Sequence, residues 1–97
     1  MSQEIDEIIK RIQAYKGVMG VIIINNDGIP LKSTLDNTTT VHYASQIHSL
    51  AAKARSVIKE IDSGNDLRCI RIRSKKHEIL VAPDQEYAMI VIQKDVN

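Results

Sequence analysis

Three histidines, one cysteine and a short basic cluster are the side chains here with chemistry to offer. His42 and His48 stand six residues apart, which on a helix turns them about 120° from each other. Helical metal pairs sit at i, i+4, and Cys69 has no second cysteine beside it, so surface histidines are favoured over a metal centre. As a nucleophile Cys69 would need a neighbouring base, which the sequence does not supply; it is expected as a small apolar or interface residue. Lys16-Gly17-Val18-Met19-Gly20 has neither the Rossmann glycine spacing nor a Gly-Lys-Ser/Thr ending, so it is no phosphate loop. Arg71, Arg73, Lys75 and Lys76 form the basic cluster, and nothing elsewhere reinforces it. With a net charge of +1, no Trp or Phe and only three Tyr, neither electrostatics nor base stacking favours nucleic acid. No acid/base pair, triad or cofactor loop is present, so the expectation is a protein-binding module, not an enzyme, with no cofactor and no metal.

The elements that position these side chains follow from periodicity. The stretch Asp66 to Lys76 alternates, with Ile70 and Ile72 on one face and Cys69, Arg71 and Arg73 on the other, which is the period of a half-buried strand. Upstream, Ser2 can cap a first helix in which Ile5, Ile8, Ile9 and Ile12 share a face, Lys10, Arg11 and Lys16 suit the carboxyl end, and Gly17 stops it. Val18 to Ile24 is apolar and mostly β-branched, hence a strand covered on both faces. Asn25-Asn26-Asp27-Gly28 is a turn that returns the chain into Ile29 to Leu35, and Pro30, which cannot donate a ladder bond, makes that strand an edge. Beyond caps offered by Asp36, Asn37 and the following threonines, a long helix runs to about Ile61. Its apolar positions (Ala44, Ile47, Leu50, Ala51, Ala54, Val57, Ile58, Ile61) span an arc of roughly 140°, wide enough for two neighbours, which is favoured over packing on its own sheet alone. Glu78 to Ala82 and Tyr87 to Gln93 complete the set as strands, joined by Pro83-Asp84-Gln85-Glu86.

The order αββαβββ leaves two sheet arrangements. Either the last strand pairs with the first, giving 2-1-5-4-3 with the Asp66 stretch as the open edge, or the Asp66 strand pairs with the first and the last is open. The uniformly apolar Tyr87 to Gln93 belongs in the middle, which favours 2-1-5-4-3. The 97 residues read as one domain, residues 1–97, small enough that a partner or second copy would help its stability. No apolar run approaches the roughly 20 residues of a membrane span, and the start MSQEIDEIIK lacks signal-peptide features, so a soluble cytoplasmic protein is expected.

The run of motifs Lys16-Gly17-Val18, Asn26-Asp27-Gly28-Ile29-Pro30, Lys32-Ser33-Thr34, Asp36-Asn37-Thr38-Thr39, Lys53-Ala54-Arg55-Ser56, Asn65-Asp66-Leu67, Arg71-Ile72-Arg73-Ser74-Lys75-Lys76 and Val81-Ala82-Pro83-Asp84 resembles the Roadblock family of cytoplasmic dynein light chains. The match is collinear and covers nearly the whole chain. The resemblance implies an α/β (α+β) sandwich with a five-stranded, mainly antiparallel sheet and two helices, similar to longin and profilin-like folds. It implies a homodimer in which the third strands meet across a twofold axis and the long second helices lie together. Carried over by residue, it places Leu67, Cys69, Ile70, Arg71, Ile72 and Arg73 at the strand seam, and Ala44, Ile47, Ala51, Ala54 and Ile58 at or near the helix seam. It also implies binding to a helical segment of the dynein intermediate chain, a role in motor assembly and cargo transport along microtubules, and room for a heterodimer with a related light chain. Related Roadblock domains regulate or scaffold small GTPases, which is the alternative. The chain departs from the family pattern at Cys69 and near Ala88, where an aromatic is usual, and at Lys94-Asp95, where the family closes on Asn-Pro.

Overall fold

Helix α1, Ser2–Gln13, carries Glu4 in its first turn and Lys10 and Arg11 in its last, so its charges complement the helix dipole. The computed structural model describes residues 2–94; the expected cap by the Ser2 side chain and the close at Asp95 lie outside the described residues. The helix gives out at Gln13, short of Gly17. Its end tightens through a bond from the Tyr15 N–H to the Ile12 carbonyl at 3.0 Å, and Gly17, at φ +92, then swings the chain into the sheet.

Strand β1, Val18–Asn25, is buried from Gly20 to Ile24, as a β-branched run covered on both faces should be. The Asn25 side-chain oxygen accepts from the N–H groups of Asp27 and Ile29 at 2.9 and 3.0 Å. Gly28 closes the turn at φ +82, where a Cβ would also lie only 2.7 Å from the His48 ring. Strand β2, Pro30–Ser33, is shorter than the expected Ile29 to Leu35. A register shift between Ile23 and Ile24 sits opposite Pro30, and Ser33 turns to bond the Leu35 N–H and the Thr40 hydroxyl, which ends the ladder.

Helix α2, Asn37–Ile61, is capped by the Asp36 carboxylate, which accepts from the Thr39 N–H at 3.2 Å. Three strands follow: β3, Ile70–Arg73; β4, His77–Pro83; and β5, Tyr87–Lys94. The sheet order is β2-β1-β5-β4-β3 with every pairing antiparallel, and it settles the choice between the two arrangements in favour of a central β5. One face of the sheet, Ile22, Ile24, Val81, Ile90 and Ile92, packs on Ala44 and Ile47 of α2 to make the core. The other face carries Ile23 and Met89, against which Ile5 and Ile8 of α1 lie.

Strand β3 is the element that departs most from expectation. Ladder pairing covers only Ile70 to Arg73, so Leu67 and Cys69 precede the strand. Asp66 is drawn instead to Lys59 of α2 at 2.7 Å. At the far end the Ser74 hydroxyl donates to the His77 carbonyl at 3.0 Å and accepts from its N–H at 3.1 Å, so Ser74 to Lys76 form the turn into β4.

Candidate functional site

The two sheet edges differ in chemistry. At β2, Pro30 supplies no N–H and Lys32 reaches across to Asp6 of α1 at 3.3 Å. At β3, four residues of regular backbone close the sheet with no proline among them. That is the edge able to accept another strand.

Its two faces are unlike. Ile70 and Ile72 are half-buried and pack onto the core beneath α2. Arg71 and Arg73 point to the α1 side, exposed, and both are gathered by Glu78 of β4. The Arg73 Nε and Nη2 donate to Glu78 Oε2 at 3.2 and 3.1 Å, and Arg71 Nε lies 3.6 Å from the same oxygen. Gln93 of β5 donates to the other carboxylate oxygen at 2.6 Å. Glu78 is only 5% exposed, and a carboxylate so placed is tolerable because each oxygen has a donor. The basic face is therefore an ordered row across three strands and not a set of free cations. The sequence alone did not single out Glu78 and Gln93; a lone carboxylate near the start of an otherwise apolar strand, shortly after the basic cluster Arg71 to Lys76, was the available signal.

Of the residues expected at the helix seam, Ala44, Ile47 and Ala51 are buried in the chain's own core, while Ala54 and Ile58 are half-buried. A second stripe of α2 stays open: Leu50 is 40% exposed, Val57 45% and Ile61 78%. At 100° per residue these three fall within about 40°, centred roughly 90° around the helix from the core residues. Leu67 is half-buried beside Arg55 and Arg68, and Cys69 is exposed at the mouth of an apolar groove with Leu80, Met89, Val91 and Tyr15. The structure thus brings Ile70, Arg71, Ile72 and Arg73 together on one edge and leaves Leu67 and Cys69 just ahead of it.

The histidines do not converge. His48 bonds the Asn26 carbonyl through Nε2 at 2.9 Å and braces the β1–β2 turn, whereas His42 is exposed on α2 and His77 begins β4. Among the described residues no group of three His, Cys, Asp or Glu side chains could hold a metal ion, and no helix is long and apolar enough to cross a membrane.

Three carboxyls are held below their ordinary range. The Thr39 hydroxyl and N–H lower Asp36, the Lys59 ammonium lowers Asp66, and the Gln93 amide, followed by Arg73 and Arg71, lowers Glu78 against the opposing effect of its burial. A carboxyl that ionises more readily in the folded chain adds stability that is complete above its unfolded value and lost as pH falls through its folded one. With ordinary values of 3.8 and 4.5 for these groups, the melting temperature should be flat from about pH 7 to about pH 5 and fall below about pH 4. Thermal melts across that range check this; a melting temperature unchanged down to about pH 2 would contradict it.

Residues 4–94 match the family model described as the Roadblock/LC7 domain. Among solved structures, a Roadblock/LC7 domain from Streptomyces avermitilis superposes with a TM-score of 0.83 at 17% identity, covering 92% of this chain and 77% of that one. The gliding protein MglB from Thermus thermophilus gives 0.81 at 11% identity, with 95% and 72% covered. MglB from Myxococcus xanthus gives 0.79 at 16% identity, with 95% and 76% covered. At these identities the likeness is one of fold.

Proposed function

The chain belongs to the Roadblock/LC7 family, and from that footing we propose that it is a non-catalytic subunit that pairs with itself through β3 and presents the joined sheet to a partner protein. The observation that carries this is the β3 edge: regular, free of proline, and opposite the edge that Pro30 blunts. A second open surface supports it, since Leu50, Val57 and Ile61 form the apolar stripe that side-by-side packing of two α2 helices would cover. The strand seam then consists of Ile70, Arg71, Ile72 and Arg73 with Leu67 and Cys69 at its approach, and the helix seam of Ala54 and Ile58 with the exposed stripe.

Two partners are carried forward. Regulation or scaffolding of a small GTPase in the cytoplasm is supported by the similarity of the fold to the gliding protein MglB. Service as a dynein light chain that binds the intermediate chain on microtubules is favoured by the near full-length motif run from Lys16 to Asp84. Neither needs nucleic acid, a membrane or a cofactor. Co-purification from cells, with identification of the bound chains, separates them. Recovery of a small GTPase whose nucleotide turnover changes on adding the pure protein supports the first. Recovery of an intermediate chain, with co-elution of its helical fragment, supports the second. A well-folded protein that captures neither sinks both.

A further inference from the structure

Self-pairing at β3 has an electrostatic consequence that parity alone dictates. Opposite residues in antiparallel strands share a face, and a twofold axis joining two copies of one strand stands perpendicular to the sheet, so the Arg71 and Arg73 face of one copy meets the same face of the other. Over Ile70 to Arg73, the two registers of fullest overlap set Arg71 either against Arg71 or against Arg73 of the second copy. Both place an arginine opposite an arginine, with Cβ atoms about 5 Å apart, where like charges are destabilising. The turn that follows adds Lys75 and Lys76.

We infer that Glu78 is the specificity-determining residue for this pairing: its buried carboxylate makes β3 compatible with a second copy of itself. This rests on the edge-pairing proposal above. The geometry is that of a shared anion. One Oε2 atom already holds Arg73 at 3.1 Å and Arg71 at 3.6 Å, and Gln93 fixes the carboxylate from behind at 2.6 Å. Two copies joined at β3 bring four arginines onto one face with two carboxylates among them. Without Glu78 the same seam would hold four cations and no anion, and it would suit only an edge that brings its own carboxylates. With Glu78 a net positive charge remains on each copy, so homodimerisation strengthens as salt screens it, contrary to an interface held by ion pairs.

The test is the dimer dissociation constant by sedimentation equilibrium at about 0.05 M and about 0.5 M salt, for the full chain and for Glu78→Gln, Arg71→Gln and the double variant. Glu78→Gln keeps an acceptor for Gln93, and circular dichroism verifies its fold. It is expected to weaken the dimer about tenfold at low salt, with most of the deficit gone at high salt. Arg71→Gln is expected to restore Glu78→Gln at low salt, and by itself to tighten the dimer about threefold, because it removes one cation from the seam while Arg73 and Gln93 still hold the Glu78 carboxylate. That single variant carries the test if Glu78→Gln does not fold. A dimer that Glu78→Gln leaves unchanged, or weakens equally at both salts without rescue by Arg71→Gln, overturns the inference alone, as does an Arg71→Gln dimer no tighter than the original. An unmodified chain that remains monomeric at about 100 µM overturns edge pairing and this inference with it.

Discussion

Replacing Ile90 with alanine should remove about 3–4 kcal/mol of stability, the largest loss expected from any single truncation in this chain. Ile90 is 0% exposed in the central strand β5, opposite Ile22 of β1 on one side and Val81 of β4 on the other. Ala44 and Ile47 of α2 close the space above it. A cavity at that point collapses poorly, because the strands on both sides are held by their ladders and one of the two helix residues above is already an alanine. The loss therefore includes the cavity as well as the transfer of the missing carbons. Set against a total stability of about 5–15 kcal/mol, it corresponds to a fall in melting temperature of roughly 15–25 °C for a domain of this size. Denaturant unfolding with an unchanged slope is the appropriate measurement. A loss under about 1 kcal/mol would mean the core is loosely packed around β5 and able to close over the gap.

The centrality of β5 was legible from composition. Tyr87 to Gln93 is more uniformly apolar than Asp66 to Lys76, and only a strand flanked on both sides has use for that. Pro30 gave away the other edge for an equally local reason, its missing donor. Ends of elements were less legible, because a strand's length depends on where a partner's backbone happens to run. Nothing in Asp66-Leu67-Arg68-Cys69 reveals that Asp66 pairs with Lys59 of α2 ahead of the ladder, or that the Ser74 hydroxyl claims the backbone of His77 for a turn.

The site was legible in outline and opaque in its chemistry. Alternation separated Ile70 and Ile72 from Arg71 and Arg73, but alternation cannot say what neutralises an arginine face. Glu78 does so only because the β3–β4 register sets it beside Arg73, and Gln93 joins because the β4–β5 register does the same one strand further on. On α2 the roughly 140° apolar arc was wider than a strict coiled-coil seam and left room for a second neighbour. Which part of that arc the sheet takes is a matter of helix rotation, fixed by tertiary contacts at Ala44, Ile47 and Ala51, and it leaves Leu50, Val57 and Ile61 outside.

That division gives the second large effect a sharp form. The double substitution Leu50→Asp with Val57→Asp should weaken self-association by at least about 100-fold, or roughly 2.7 kcal/mol, while lowering the stability of the separated chain little. Both side chains stand 40% or more exposed on the separated chain, so carboxylates there keep their water until a second helix arrives. Packing two α2 helices together would strip that water from four carboxylates with no cation assigned to meet them, and like charges would face each other across the axis. The same change at Ala44 and Ile47 would unfold the chain, since those positions are already inside it. Sedimentation for the assembly and thermal melting of dilute samples for the fold read the two effects separately. A dimer that persists at unchanged affinity would move the helix seam elsewhere on α2 and leave the β3 edge to hold two copies alone. Four residues of ladder make that a weak basis for a stable pair, because so short a strand contact falls well below the roughly 1,200–2,000 Å² that stable interfaces bury.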